Sequence, residues 1–200
     1  MLALEFYLKE IFMSVPENLQ DLYIDELKDL WSANDQMLKF VKKITTKTAD
    51  KSLKEMLMKS QEGIVKHTAI LKELISSNNE KVSKEHCKGM QGLVAEAVKH
   101  TTEEAPKKGP VLDALIIAQY QRMTHYGIAG FGTAAAYAQA LDLQDDKKAL
   151  DLAVKEMYSG DQYASKLAET TVNMAAKDEW IRTDWVKYQS VQNRLTERFQ

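Results

Sequence analysis

Two hundred residues, 44% hydrophobic and 28% charged, describe a globular chain large enough to bury a real core in one domain. A net charge of −2 and a pI near 6.1 give no overall basic field to recruit nucleic acid. The lone cysteine, Cys87, closes no disulfide within one chain and supplies no Cys-rich zinc site, and the sequence lacks the run of about 18 apolar residues that a membrane span needs.

With only three prolines and eight glycines, the chain is expected to be all-helical. A first stretch, 2–13, carries a partial apolar stripe and charges at Glu5, Lys9 and Glu10, unlike a secretory leader. A cytoplasmic location follows as the expectation. Ser14 and Pro16 open a second stretch, about 17–47, with Leu19, Leu22, Tyr23, Leu27, Leu30, Met37 and Val41 at helical spacing. Asp50 or Thr48 caps a third, about 51–76, followed by a polar loop over 77–86. A short helix is predicted at 88–101, then a turn at 106–110, and long helices at about 111–141 and 145–176. The organisation expected is an N-terminal helical extension (1–15), a bundle (16–176) and a C-terminal amphipathic arm (177–200).

Four long helices read as a four-helix bundle. The extended connection between the second and third long helices permits a crossover rather than a tight hairpin. Three interior glycines, Gly63, Gly127 and Gly160, interrupt these helices, each at a cost of about 1 kcal/mol relative to alanine. No phosphate-binding glycine loop, Gly-x-Ser-x-Gly, His-Glu-x-x-His or EF-hand loop is present. The short clusters Lys42-Lys43 and Lys107-Lys108 read as solvated helix ends.

From Cys87 the sequence reads CKGMQGLVAEA, then LDALIIAQYQRMTHYGIAGFGT further on. This combination of Cys87, Met90, Gly92 and Leu93 with His125, Tyr126, Gly132 and Thr133 resembles the YciF-like family of ferritin-like bundles. The opening helix, with Asp25-Glu26-Leu27 and Ser32-Ala33-Asn34-Asp35-Gln36, fits as well, and the resemblance covers about 17–175. Ferritin-like bundles hold two metal ions with carboxylates and histidines projecting from the four helices. The resemblance implies that the family's glutamates are replaced here by Asn34 and Gly63, and an upstream histidine by Ser60. It likewise implies that glutamates became Thr124 and Gly127, and a Glu-Glu pair Ser159 and Gly160. These replacements are neutral and poor ligands for hard ions, so no cofactor is expected and the ancestral-type site is read as lost.

Asp35, Glu62 and Asp161 each stand one residue from a replaced position. That is about 100° around a helix, so they are expected to point away. His67, four residues after Gly63, is expected to face the same way as the glycine. A rearranged site on His67 and His125 is the alternative for an iron- or manganese-binding protein. The volume left by lost carboxylates is expected to be filled by Trp31, Tyr120, Tyr126, Tyr158 and Met123. The other reading is a residual pocket lined by Trp31, His67, Tyr120, His125, Tyr126 and Tyr158 with Asn34, suited to a small apolar or aromatic ligand.

The function expected is that of a non-catalytic, stress-associated structural or interaction protein with a vestigial di-metal site. Aromatic residues in the two terminal segments lead to a homodimer as the expected assembly. Neither nucleic acid nor membrane is expected as a partner.

Overall fold

The computed structural model describes residues 15–179. The expectations for the N-terminal extension, and for all but the first three residues of the C-terminal arm, lie outside the described residues. Five α-helices follow in order: α1 (Leu19–Thr45), α2 (Lys51–Ser77), α3 (Lys88–Val98), α4 (Pro110–Ala140) and α5 (Gln144–Leu167). Five-residue π-helical segments extend α3 (Lys99–Glu103) and α5 (Ala168–Val172).

Local chemistry sets the boundaries. Asn18, in extended conformation, accepts a hydrogen bond from the Asp21 N–H and starts α1, so Pro16 lies outside the helix it was expected to open. Asp50 accepts from the Leu53 N–H and caps α2, deciding between the two expected caps. Pro110 occupies the first turn of α4, where its missing N–H costs nothing. The predicted continuous helix over 145–176 widens into its π segment at Ala168. Both π segments contain a Thr-Thr pair, Thr101-Thr102 and Thr170-Thr171. The hydroxyls of Thr101, Thr170 and Thr171 bond the carbonyls four residues back. The same bond from Thr68 leaves α2 regular, so these hydroxyls accompany the wider turns without accounting for them.

The topology can be followed from its polar pins. At one end, Asp146 at the start of α5 accepts from Tyr23 near the start of α1 and from Asn78 just past α2. At the other end, Asp113 in the first turn of α4 accepts from the Ala49 and Asp50 N–H groups, at 3.0 and 2.8 Å, in the α1–α2 loop. The helices α2 and α4 therefore run the same way, and residues 78–109 return along the bundle as a crossover carrying α3. In the square so formed, α1 neighbours α2 and α4, α5 neighbours α4 and α2, and α3 lies across α1 and α4.

The core divides into two clusters. One, around Tyr23, Leu27, Leu71, Phe131 and Leu150, fills the end where α5 begins. The other, around Phe40, Ile44, Leu53, Leu57 and Ile116, fills the opposite end and reaches under α3. Close approach of α1 and α4 depends on Gly130, where an added Cβ would fall 2.5 Å from Leu30 Cδ2 and 2.9 Å from Glu26 Oε1. Ala134, Ala135 and Ala138 continue that thin side of α4 and are buried. None of the described helices is long and apolar enough to cross a membrane.

Candidate functional site

Between the two core clusters the packing is interrupted by a cavity of about 430 Å³. Its wall takes residues from all four long helices: Asn34 from α1, Ser60, Gly63 and His67 from α2, Thr124 and Gly127 from α4, and Ser159 and Gly160 from α5. All seven positions singled out as replaced metal-site positions therefore line one space. They share it because they occupy one level of the bundle, midway along helices of similar length.

The rest of the wall is apolar and rich in sulfur. Met37, Met56, Met90, Met123 and Met157 all line it, five of the nine methionines in the chain. Tyr120 and Tyr163 add aromatic surface. The exposed lining residues Glu55 and Lys59 on α2 and Ser159 and Tyr163 on α5 mark a mouth between those two helices.

The glycines do not all serve the same purpose. A Cβ at Gly160 would lie 3.4 Å from the Tyr120 hydroxyl, and one at Gly127 would lie 3.1 Å from Met157 Sδ. Tyr120 and Met157 thus occupy part of the room released there. A Cβ at Gly63 would meet nothing within 4 Å, so the space beside it stays open.

Several expected lining residues stand elsewhere. Trp31 sits on another side of α1, beneath Lys72 Nζ at 4.5 Å and Lys84 Nζ at 5.8 Å from its ring centroid, a cation–π arrangement. His125 is exposed, with Nε2 3.1 Å from Asp161 Oδ2. Tyr126 turns toward α1 and α3, donating to Asp29 Oδ2 at 3.1 Å and contacting Cys87 Sγ at 3.0 Å. Tyr158 is about half exposed. The aromatic plug is therefore limited to Tyr120, assisted by methionines. Tyr126 and Tyr158, one residue from Gly127 and from Ser159, are turned about 100° off the axis.

The same step places the off-register acids outside the wall. Asp35 pairs with Lys84, Asp161 accepts from Gln121 at 3.0 Å, and Glu62 is exposed. His67 does line the cavity, as its spacing from Gly63 predicted. It shares no site with His125. Its Nε2 lies instead 2.9 Å from Glu156 Oε2, while Lys66 Nζ holds the other oxygen of that carboxylate.

Electrostatics follow from these contacts. Lys66 and His67 hold the Glu156 carboxyl below the usual range. Burial pushes the His67 pKa down, and its bond to Glu156 opposes that shift in part. The donor set does not fit a di-metal centre. Glu55 and Glu156 are the carboxylates of the wall and His67 its one imidazole. Among the described residues no three His, Cys, Asp or Glu side chains are grouped to hold an ion. Glu156, Tyr163 and the methionines other than Met123 line the wall without having been expected there, and were legible only in part. Met56 and Met157 stand seven and three residues before Gly63 and Gly160, on the same helical faces.

Two buried polar atoms in the wall residues make no hydrogen bond, Asn34 Nδ2 and Thr124 Oγ1. The contrast within the chain is sharp. The buried hydroxyls of Thr45, Thr48, Thr68 and Thr101 each bond the carbonyl four residues back, and that of Thr124 does not.

The sequence and fold have counterparts. Protein YciF of Escherichia coli (strain K12) is 28% identical over 164 residues, spanning 82% of this chain and 98% of the relative. The crystal structure of the E. coli stress protein YciF matches with a TM-score of 0.73, covering 79% of this chain and 99% of that one. YcfI from Rhodopseudomonas palustris matches at 28% identity with a TM-score of 0.72, over 77% and 97% of the two chains. A protein from Xanthomonas campestris, 12% identical with a TM-score of 0.66, over 82% of this chain and 99% of that one, shares the fold. The family described as Domain of unknown function (DUF892) matches residues 18–177, and this chain belongs to it as a YciF-like protein.

Proposed function

We propose that this chain is a non-catalytic, ferritin-like member of its family whose di-metal site is vestigial, and that it acts in stress through binding rather than metal chemistry. One observation carries the reading. The positions that the family resemblance assigns to metal ligands surround a single cavity, and none of them bears a carboxylate or an imidazole. The crossover between α2 and α4 supports the ferritin-like assignment, since one long crossover is that group's connectivity. The association with stress rests on the description of the E. coli relative as a stress protein.

The test restores what was lost. The variant Asn34→Glu/Gly63→Glu/Gly127→Glu/Gly160→Glu places one carboxylate per helix around the cavity. It is expected to retain Mn(II) or Fe(II) through gel filtration, read by elemental analysis, where the unmodified chain retains neither. Equal retention by the unmodified chain would favour the second reading, an iron- or manganese-binding protein with non-standard ligands. A homodimer in the cytoplasm completes the proposal; sedimentation velocity across a range of concentrations checks the assembly, and a concentration-independent monomer contradicts it.

A further inference from the structure

We propose that the cavity is a binding site for a neutral, flat aromatic molecule. The proposal rests on the reading above that no metal ion holds this space. Three features of the wall define the ligand.

Size comes first. A cavity of about 430 Å³ falls in the range of small-molecule sites, roughly 300–1,000 Å³. Chemistry of the wall comes second. Five methionines present flexible, polarisable thioethers, which adapt to a ligand's outline and make favourable contacts with aromatic rings. The third feature is charge. Glu156 is already paired with Lys66 and His67, and Glu55 and Lys59 carry opposite charges at the exposed mouth. No buried charge waits for a counterion, and an ionised ligand would be costly to desolvate there.

Prodan, a neutral naphthyl ketone whose emission shifts to the blue in apolar surroundings, is the probe for the full chain. Saturable binding in the micromolar range is expected, with displacement by neutral ethylnaphthalene about tenfold more effective than by the anion naphthoate. Gly63→Phe, whose side chain enters the open space, is expected to abolish saturable binding while unfolding remains cooperative. No saturable binding by the unmodified chain overturns the proposal. Undiminished binding in a folded Gly63→Phe places the dye on the exterior and does the same. Equal displacement by naphthoate overturns the inference that the ligand is neutral. Bound metal in the purified chain defeats the vestigial-site reading. A metal-free chain that ignores Prodan defeats this inference alone.

Discussion

At the scale of single residues, interior glycines have different consequences, decided by what a Cβ would meet. Gly63→Ala adds a side chain to open space and improves helix propensity, so it is expected to stabilise by about 0.5–1 kcal/mol in urea denaturation. Gly130→Ala is expected to destabilise, because its Cβ would fall on Leu30 Cδ2 and Glu26 Oε1. The helical spacing of the replaced positions was enough to read that they share a face. Which of them border empty volume was not legible, because that depends on side chains arriving from other helices. His67 illustrates both sides. Its place in the wall followed from Gly63 four residues earlier, but Glu156 as its partner comes from α5 and left no local signal. Burial lowers the His67 pKa from its ordinary value of 6.5. Just below that value the unfolded chain binds more protons than the folded one, so stability is expected to fall as pH drops through about 6.5. Urea midpoints at about pH 7.5 and about pH 5.5 measure the effect, and His67→Gln is expected to reduce it.

At the scale of elements, the crossover helix α3 is fastened where the sequence motif begins. The Cys87 N–H donates to Ser32 Oγ and the Cys87 carbonyl accepts from Gln36 Nε2, both on α1. Its sulfur accepts from the Met90 N–H, capping α3, and contacts the Tyr126 hydroxyl from α4. The Cys-x-x-Met spacing is thus a helix cap, and Gly89 leaves room for the Tyr126 ring, whose Cε2 would lie 2.8 Å from an added Cβ. Gly89→Ala is expected to cost about 1–3 kcal/mol in thermal or urea unfolding by displacing Tyr126. Burial pushes the Cys87 thiol up, and the side chain is fully covered. Its reaction with a disulfide reagent is expected to be slow in the folded chain and fast in urea. A thiol that reacts equally fast in both would contradict this packing. The presence and order of these helices were legible from apolar periodicity and turn residues. The π segments were not, since threonines that make the same carbonyl bond, such as Thr68, also sit in a regular helix.

At the scale of the whole molecule, the bundle joins two well-packed ends across a hollow level. The crossover was legible as a possibility from the length of the connection, and its direction is fixed by Asp113 and Asp146 at opposite ends. The hollow lies at the level of the positions that the family resemblance assigns to metal ligands, and methionines and glycines line it. Sequence alone left a plug and a cavity both open, because the difference lies in how far round its helix each of Trp31, Tyr126 and Tyr158 falls from the axis. The most direct measurement of the central claim is metal content per chain by elemental analysis, after purification without an affinity tag and incubation with Fe(II) and Mn(II). The account predicts less than about a tenth of an equivalent, whereas one or two tightly held equivalents, the complement of a di-metal bundle, would contradict it.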